Sequence, residues 1–533
     1  MRRTVVAAGL VLLAVASCDT CRPSRSMFAL IGYWDFPAGQ TFTLVTPSPG
    51  SQTVNFIARV YYPSYDGSAF APDPNNPHFN GIAVADGQHP LVVFGHGQYG
   101  LGAPTNYLGM TNLMNHLASW GYICVSVNLD VVQGQWSTYQ QGIPQRGELL
   151  LSAVDRMLQL NNDPTSLFYQ KIDPSKIALI GHSRGGGGAI SAVNRNLAQG
   201  SPRAIKAVAT ISPVDFYTQP VQAAVPHLSL YGSWDGDLSD GEGPRIWDGG
   251  VRQAPKQLVE IYGANHFHFT DNITYSGENV EITREDHHEL AKGFINAWFD
   301  VYVRGNNRYD WPLYLAGLKD MRPGVNKYLQ ILSNDFRAVD NGSPLGTEAT
   351  NNLGGTNTFS SLPLFDDRML NSYSDHFYNQ SEGLVVHWDA TTDELVFSFS
   401  NQNVTGYTYL SFRAAQRPRN ASNPAAPENT LNDVNTFKDF RVQLRDAPNN
   451  TAAVSIKDYQ GGLQYPDSSG SLSPSSAYQY KAIMRSFRIP LTDFVGVNLH
   501  NVKGIRFRFD RPNQPGFRNV TGAIAIDDVE FSK

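Results

Sequence analysis

The sequence is poor in cysteine, in charged residues and in long apolar segments. Three cysteines among 533 residues are too few to read as a disulfide framework, and Cys124 lies in a strand-like apolar run that predicts a buried thiol. Charged residues make up 17% of the chain and the net charge is -6, so no basic excess is present to neutralise the phosphates of a nucleic acid. No His, Asp and Cys spacing matches a metal site. These absences favour a globular protein that acts on neutral or hydrophobic molecules.

The N-terminus has the pattern of an export signal. Arg2 and Arg3 precede an apolar run from Val5 to Val15, which is too short to span a bilayer, and small residues follow it. The segment 1–21 is therefore predicted to direct export. Val15-Ala16-Ser17-Cys18 also resembles a bacterial lipobox, in which Cys18 is lipidated. We expect either a secreted protein or a membrane-anchored lipoprotein.

A chain of this length needs more than one hydrophobic core. Short apolar strands alternate with amphipathic helices between about Asn55 and Trp298, as a mostly parallel, doubly wound α/β sheet requires. Beyond about Pro323 the pattern becomes short alternating runs separated by Asn, Ser, Gly and Pro, which is typical of an all-β sandwich. The predicted organisation is an α/β unit at 27–325, a linker or long loops at 326–370 and a β-sandwich at 371–533.

Gly181-His182-Ser183-Arg184-Gly185 has the form G-x-S-x-G. It follows the apolar run Ile177–Ile180 and opens a glycine-rich helical segment, so it predicts a strand, a sharp turn and a helix. Small residues suit such a turn because the helix packs closely against its strand. The pattern places Ser183 at the carboxyl end of a strand as a candidate nucleophile.

A serine hydroxyl needs a base and an orienting acid, which in this type of turn follow in the order Ser, Asp, His. Asp235 ends one strand and Gly turn, and His266 ends the next. We expect both at the same edge of the sheet as Ser183. Asp237 and Asp240 remain alternatives to Asp235, and His268 remains an alternative to His266.

These three segments resemble the α/β-hydrolase superfamily, and within it the dienelactone hydrolases, platelet-activating-factor acetylhydrolases and cutinase-like polyester hydrolases. The glycine run after Ser183 and Gly263-Ala264-Asn265-His266-Phe267 resemble the polyester hydrolases in particular. The resemblance implies a serine esterase that needs no cofactor. It also implies an oxyanion hole near Phe94-Gly95-His96-Gly97-Gln98, formed by the backbone N–H groups of Gln98 and Arg184, with His96 ordering the loop.

Several side chains near the expected site are candidates for an acyl pocket. The chain has Val214 after Pro213, where the polyester hydrolases carry an aromatic residue. Little sequence separates Ser183 from Asp235, which leaves little room for a cap and predicts an open cleft for bulky or polymeric esters. The candidate pocket residues are Trp136, Val214, Trp234 and Phe267.

The last strands, such as Ile505–Phe509 and Ala523–Phe531, resemble the galactose-binding-like jelly rolls that serve as carbohydrate-binding modules. That resemblance implies glycan contact through the C-terminal sandwich, or a sandwich that only packs on the first unit. Asp527 and Asp528 are a candidate pair for a structural calcium ion. His287 and His288 open a predicted helix and are expected to be solvated.

Two other functions fit the same residues. A peptidase or amidase would use the same serine, acid and histidine. A surface-attached protein that binds glycan and whose hydrolase half is inactive is the alternative outside enzymes. The sequence does not predict the oligomeric state.

Overall fold

The computed structural model describes residues 27–28, 30–44, 51–64, 82–99, 105–132, 142–215, 219–238, 241–274, 279–307, 311–317, 319–341, 346–360, 364–369, 381–418, 431–466 and 482–533. The predicted export signal at 1–21, Trp136 and Asp240 lie outside the described residues.

The first unit is an α/β unit whose elements alternate along the chain. They are β1 (Leu30–Asp35), β2 (Thr41–Leu44), β3 (Gln52–Asn55), β4 (Ala58–Ser64), β5 (His89–Gly95), α1 (Thr111–Ser119), β6 (Ile123–Val127), α2 (Gly142–Asn162), β7 (Ile172–His182), α3 (Arg184–Ala198), β8 (Ile205–Ile211), β9 (His227–Gly232), α4 (Glu242–Asp248), β10 (Lys256–Ile261), α5 (Arg284–Tyr302), α6 (Trp311–Leu315) and β11 (Lys327–Leu332).

Within the described residues, nine of these strands form one sheet in the order β1-β4-β6-β5-β7-β8-β9-β10-β11. The strands from β6 to β10 in that order are parallel, whereas β1, β4 and β11 pair antiparallel at the two edges. Every residue of β5, β6 and β9 is buried, as expected for strands covered on both faces. The expected mostly parallel α/β sheet is present.

Helices cover both faces of this sheet. Leu117 of α1 and Phe294 of α5 pack in one core with residues of β5 to β10, while Val154 of α2 and Ile190 of α3 pack in a second core on the other face. Because the central strands are parallel, their carboxyl ends meet at one edge, where loops can assemble a site.

The second unit is made of strands alone, apart from short 3₁₀ turns, in the part of it that the structure describes. Its strands are β12 (Phe336–Asp340), β13 (Thr356–Ser360), β14 (Leu364–Met369), β15 (Glu382–Trp388), β16 (Glu394–Gln402), β17 (Tyr409–Gln416), β18 (Phe437–Lys438), β19 (Arg441–Asp446), β20 (Thr451–Ser455), β21 (Leu463–Gln464), β22 (Arg485–Pro490), β23 (Val502–Arg508) and β24 (Gly522–Ser532).

Two sheets of this unit share one core. One has the order β14-β15-β24-β17-β22, with β12 added to β24, and the other has the order β13-β16-β23-β19-β20. Phe412 of β17, Phe397 of β16 and Phe507 of β23 belong to the same buried cluster, so apolar residues from both sheets fill the space between them. The arrangement is a β-sandwich.

The segment 326–370, expected to be a linker or long loops, instead contains four strands. β11 extends the nine-stranded sheet to Leu332, and β12, β13 and β14 belong to the sandwich. The sandwich thus begins at Phe336 rather than at residue 371. The error has a physical cause, because these strands are short and contain Asn, Thr, Ser and Asp, a composition that is also typical of loops.

A buried ionic cluster joins the two units. Arg413 of β17 is 2% exposed and its guanidinium binds Asp248 at the end of α4, together with Asp527 and Asp528 of β24. Arg252 of the α/β unit pairs with Asp528 and Glu530. Buried carboxylates and guanidinium groups must be paired in this way, so the sandwich is fixed to the α/β unit through α4 and the segment after it.

Two further observations concern the described residues as a whole. Cys124 is a free, buried thiol in β6, as predicted, and burial raises the pKa of its thiol. Among the described helices, no stretch is both long enough and apolar enough to cross a bilayer.

Candidate active site

Ser183 lies in the turn between β7 and α3. Its φ of 55° and ψ of -127° are a conformation that residues with a side chain seldom adopt. The turn is held by a hydrogen bond from the Ser183 N–H to the carbonyl of Ile211, at the end of β8. The strand, strained turn and helix expected around this serine are therefore all present.

Glycine is required here by close backbone contacts. A Cβ on Gly181 would lie 2.0 Å from the Gly185 carbonyl oxygen, and a Cβ on Gly185 would lie 2.0 Å from the Gly95 carbonyl oxygen. Because neither residue has a Cβ, the start of α3 packs closely against both β7 and the end of β5. The segment Gly95–Tyr99, here called the oxyanion loop, consequently runs directly beside Ser183.

His266 and Asp235 form a buried pair at this edge of the sheet. The His266 Nδ1 lies 2.8 Å from an Asp235 carboxylate oxygen, and the two side chains are 1% and 0% exposed. The other Asp235 oxygen accepts a hydrogen bond from the N–H of Leu238. The carboxylate therefore has a fixed position from which it can orient the imidazole and stabilise its protonated form.

Hydrogen bonds join the loops that carry this pair. The acid loop, Ser233–Leu238, follows β9, and the histidine loop, Tyr262–His268, follows β10. The Gly263 N–H donates to the Ser233 hydroxyl, and the Trp234 N–H donates to the Ala264 carbonyl. Pairing of the two adjacent parallel strands thus continues into the loops.

Asp237, the nearest alternative to Asp235, lies at the other edge of the same ring. Asp237 is half exposed, and its carboxylate lies 3.5 Å from Nε2 of His266, whereas Asp235 lies at Nδ1. An orienting acid binds the imidazole nitrogen that does not face the nucleophile, so the role of Asp235 stays a prediction, which requires Nε2 to face Ser183. His268 packs its ring against His287.

His182 and Tyr99 hold the two sides of the site together. The His182 Nδ1 lies 2.9 Å from the Tyr99 hydroxyl, and its Nε2 lies 3.1 Å from the carbonyl of His266. Burial, together with the nearby His266 ring, lowers the pKa of His182 far below its usual range, so this ring is neutral. The carbonyl needs a donor, which places the proton on Nε2 and leaves Nδ1 to accept from Tyr99.

Sequence reasoning missed these two residues. His182 occupies the variable position before the serine in G-x-S-x-G, where the motif specifies no residue. No pattern indicated that Tyr99, 83 residues away, would meet it.

His96 orders the oxyanion loop, as expected. Its Nε2 accepts a hydrogen bond from the Leu129 N–H, and its Nδ1 lies 2.6 Å from the Gly97 carbonyl. Burial lowers the pKa of His96 to about 3, so the ring stays neutral and keeps both bonds. A Cβ on Gly97 would lie 2.7 Å from the Cβ of Ser183, and this contact places the adjacent Gln98 backbone next to the serine.

Arg184 begins the 15-residue helix α3, where backbone N–H groups and the helix dipole favour negative charge. Arg184 directly follows Ser183, and Gln98 directly follows Gly97, whose Cβ would meet that of Ser183. Their roles as donors stay a prediction.

The candidate pocket residues occupy different environments. Phe267 packs edge-on against the His266 ring at 4.9 Å and clusters with Tyr99 and Ile273. Val214 is buried against Ile143 and Leu238, beneath the start of α3. Trp234 is half-buried next to Asp235.

His287 differs from its expected solvated position. It is buried, accepts a hydrogen bond from the Asn265 N–H and lies 2.7 Å from the Thr283 carbonyl through its other nitrogen. It therefore fixes the backbone one residue before His266. The helix begins at Arg284 rather than at His287 because Thr283 and Asp286 form a capping box.

The described residues contain no group of three or more His, Cys, Asp or Glu side chains that could hold a metal ion. Asp527 and Asp528, the candidate calcium pair, bind the Arg413 guanidinium instead. That pairing already balances part of their charge and argues against a calcium ion there.

Comparison with known proteins identifies one family for part of the chain. A search of curated proteins finds no match. Residues 102–319 match the family model described as PETase, PET hydrolase-like, a match that includes Ser183, Asp235 and His266 and leaves out Gln98 and the sandwich. The segment that carries the candidate site is therefore similar to a family of carboxylic ester hydrolases.

Proposed function

We propose that this chain is an exported serine esterase that cleaves carboxylic esters through an acyl intermediate on Ser183. The observation that carries the proposal is the buried His266–Asp235 pair, with 2.8 Å between nitrogen and oxygen, at the sheet edge that also holds the strained Ser183 turn. The family similarity of residues 102–319 supports an ester as the substrate.

In the proposed reaction, Ser183 Oγ attacks the ester carbonyl while His266 Nε2 takes the hydroxyl proton. Asp235 stabilises the resulting imidazolium through Nδ1. The backbone N–H groups of Gln98 and Arg184 donate to the oxyanion. His266 then gives its proton to the leaving alkoxide, and water, activated by the same base, hydrolyses the acyl-enzyme. Each step uses groups of this chain and water, without a metal or cofactor.

The arrangement of the chain favours bulky or polymeric esters. Between Ser183 and Asp235 the described residues are taken up by α3, β8 and β9, which leaves little space for a cap domain over the site. A site without a cap admits substrates that extend beyond it.

Ester hydrolysis is tested with p-nitrophenyl esters of increasing acyl length, on wild type and on Ser183→Ala. We expect the variant to lose at least about 10³-fold in kcat and to lose labelling by a fluorophosphonate. Ser64→Ala is the matched control, since it removes another buried serine hydroxyl far from the site. Equal rates for wild type and Ser183→Ala would reject the mechanism.

The alternatives have their own tests. Turnover of an ester and an amide with the same acyl group separates an esterase from a peptidase or amidase. Glycan contact through the sandwich stays a prediction: in the described part of that unit, Phe359 is the one aromatic side chain that is strongly exposed, so there is little surface for stacking on sugars. The mass of the mature N-terminus distinguishes lipidation of Cys18 from free secretion.

A further inference from the structure

Asp237 places a carboxylate on the reactive side of His266. Its Oδ2 lies 3.5 Å from Nε2 of the imidazole, the nitrogen that exchanges protons with Ser183 and the leaving group in the proposed reaction. Asp235, two residues earlier, occupies the opposite edge of the same ring. The acid loop therefore places the buried carboxylate of Asp235 at Nδ1 of the imidazole and the exposed carboxylate of Asp237 at Nε2.

The position of Asp237 is fixed by its neighbours on both sides. Asp235 is held by His266, and the next residue, Leu238, donates its N–H to Asp235 and accepts a hydrogen bond from the Tyr231 hydroxyl through its carbonyl. The Asp237 side chain itself is 51% exposed. Hydrogen bonds of the neighbouring residues thus hold the acid loop on both sides of Asp237, and its carboxylate lies at the surface of the site.

The negative charge of Asp237 at this distance interacts electrostatically with any substrate group that binds next to Nε2. An ester that carries its own carboxylate close to the reacting carbonyl must bring two negative charges together, whereas a neutral ester does not. Hydrolysis also creates a carboxylate product at the same place, and repulsion by Asp237 favours its release.

We infer that Asp237 is a specificity residue that makes the site select against esters with a negatively charged acyl group. The inference rests on the proposed esterase function and narrows its substrate class to neutral esters. The carboxylate of Asp237 also distinguishes this site from a site that is lined only for the binding of apolar rings.

The test compares two p-nitrophenyl esters of matched acyl length, the neutral butyrate and the anionic succinate monoester. The readout is the ratio of their kcat/KM values, each divided by the rate of the same ester in hydroxide. We expect Asp237→Asn to raise the anionic-to-neutral ratio on the order of tenfold, and Asp237→Glu to leave it near the wild-type value. Added salt should raise the wild-type ratio and change the Asp237→Asn ratio much less.

Asp86→Asn is the matched control. The Asp86 side chain is 97% exposed. Asp86 precedes β5 at the amino ends of the parallel strands, which is the edge of the sheet opposite the site. The anionic-to-neutral ratio of Asp86→Asn should therefore equal that of wild type. A ratio that Asp237→Asn does not change, in an enzyme whose activity requires Ser183, would overturn the inference and leave the esterase proposal standing. Hydrolysis of both esters that is unaffected by Ser183→Ala would instead reject the esterase proposal, and the inference with it.

Discussion

His182 connects the two loops that flank Ser183, because one ring nitrogen meets Tyr99 of the oxyanion loop and the other meets the carbonyl of His266. Removing the Tyr99 hydroxyl should loosen this connection without changing the reacting groups. For Tyr99→Phe we expect kcat to fall about 3- to 10-fold with KM little changed, and stability to fall by about 1 kcal/mol.

The measurement is steady-state kinetics together with urea unfolding. Tyr169→Phe, which removes an exposed hydroxyl, is the control and should change neither kcat nor stability. A Tyr99→Phe enzyme that is less stable but has the wild-type kcat would show that the contact serves folding only.

The choice between the two acidic residues of the acid loop can be made by substitution. Asp235→Asn should lower kcat by about 10⁴-fold, because an asparagine can stabilise the wrong tautomer of His266. Asp237→Asn should not cause a loss of that size, since its carboxylate lies on the other edge of the ring. Rates for the neutral butyrate ester decide the matter, and a larger loss in Asp237→Asn than in Asp235→Asn would reverse the assignment.

Among the individual residues of the site, the sequence predicts those that a motif, or their order along the chain, can identify. Ser183, Asp235 and His266 each end a strand in a recognisable pattern, and the structure brings them to one edge of the sheet. Tyr99, His182 and the placement of Asp237 depend on which side chains meet across loops. No spacing of residues in a sequence predicts such contacts, so the roles of these three residues could be recognised only in the structure.

Among the secondary-structure elements, the start of α3 depends on glycine. For Gly185→Ala we expect a loss of about 3 kcal/mol in the free energy of unfolding, because the added methyl group would lie 2.0 Å from the Gly95 carbonyl oxygen and backbone cannot move aside easily. Gly406→Ala is a suitable control, since nothing lies within 4 Å of its added Cβ. Equal stability of the two variants, measured by chemical denaturation, would contradict the packing argument.

Elements were predictable where burial left a clear pattern. β8 has the predicted bounds Ile205–Ile211, because it is buried at every position except Lys206 and most of its residues are apolar. β11 to β14 were missed, because each is short and its apolar residues are interrupted by polar ones. Their pairing is decided by strands elsewhere in the chain, such as β10 and β24.

For the whole molecule, the buried cluster around Arg413 decides whether the two units unfold together. Arg413→Met leaves the carboxylates of Asp248 and Asp528 without their shared cation, so we expect a loss of about 3 to 5 kcal/mol and separate unfolding of the two units in calorimetry. Arg506→Met is the control: its partner Glu394 is 3.5 Å away at a partly exposed site, and its loss should be within about 1 kcal/mol. A single unchanged transition in Arg413→Met would show that apolar contacts alone join the units.

Buried neutral histidines should also make the whole molecule sensitive to acid. Burial lowers the pKa of four histidines, His96, His116, His227 and His287, to about 3 and that of His182 well below its usual value. Each folded-state pKa is below the unfolded value near 6.5, so the unfolded chain binds these protons first and stability falls as the pH decreases below about 6.5.

Two buried carboxylates act in the opposite direction. Burial raises the pKa of Asp527 to about 8 and that of Glu530 to about 7, so the stability that they contribute is present at low pH and is lost as the pH rises through those values. Between about pH 6.5 and 5, these five histidines outnumber the two carboxylates, so unfolding takes up protons. The free energy of unfolding should therefore fall as the pH decreases through this window, by about 1.4 kcal/mol per pH unit for each proton taken up.

Urea unfolding at pH 5.0, 5.5, 6.0 and 6.5 measures this slope. His227→Gln retains an amide to meet Thr210, which lies 3.1 Å from His227 Nε2, and removes one titrating group, so the slope should decrease by about 1.4 kcal/mol per pH unit. His500→Gln alters an exposed histidine at the surface of the sandwich and is the matched control. A free energy of unfolding that stays constant over this window would mean that the buried histidines are protonated in the folded protein, and the neutral ring assigned to His182 in the site would then have to be abandoned.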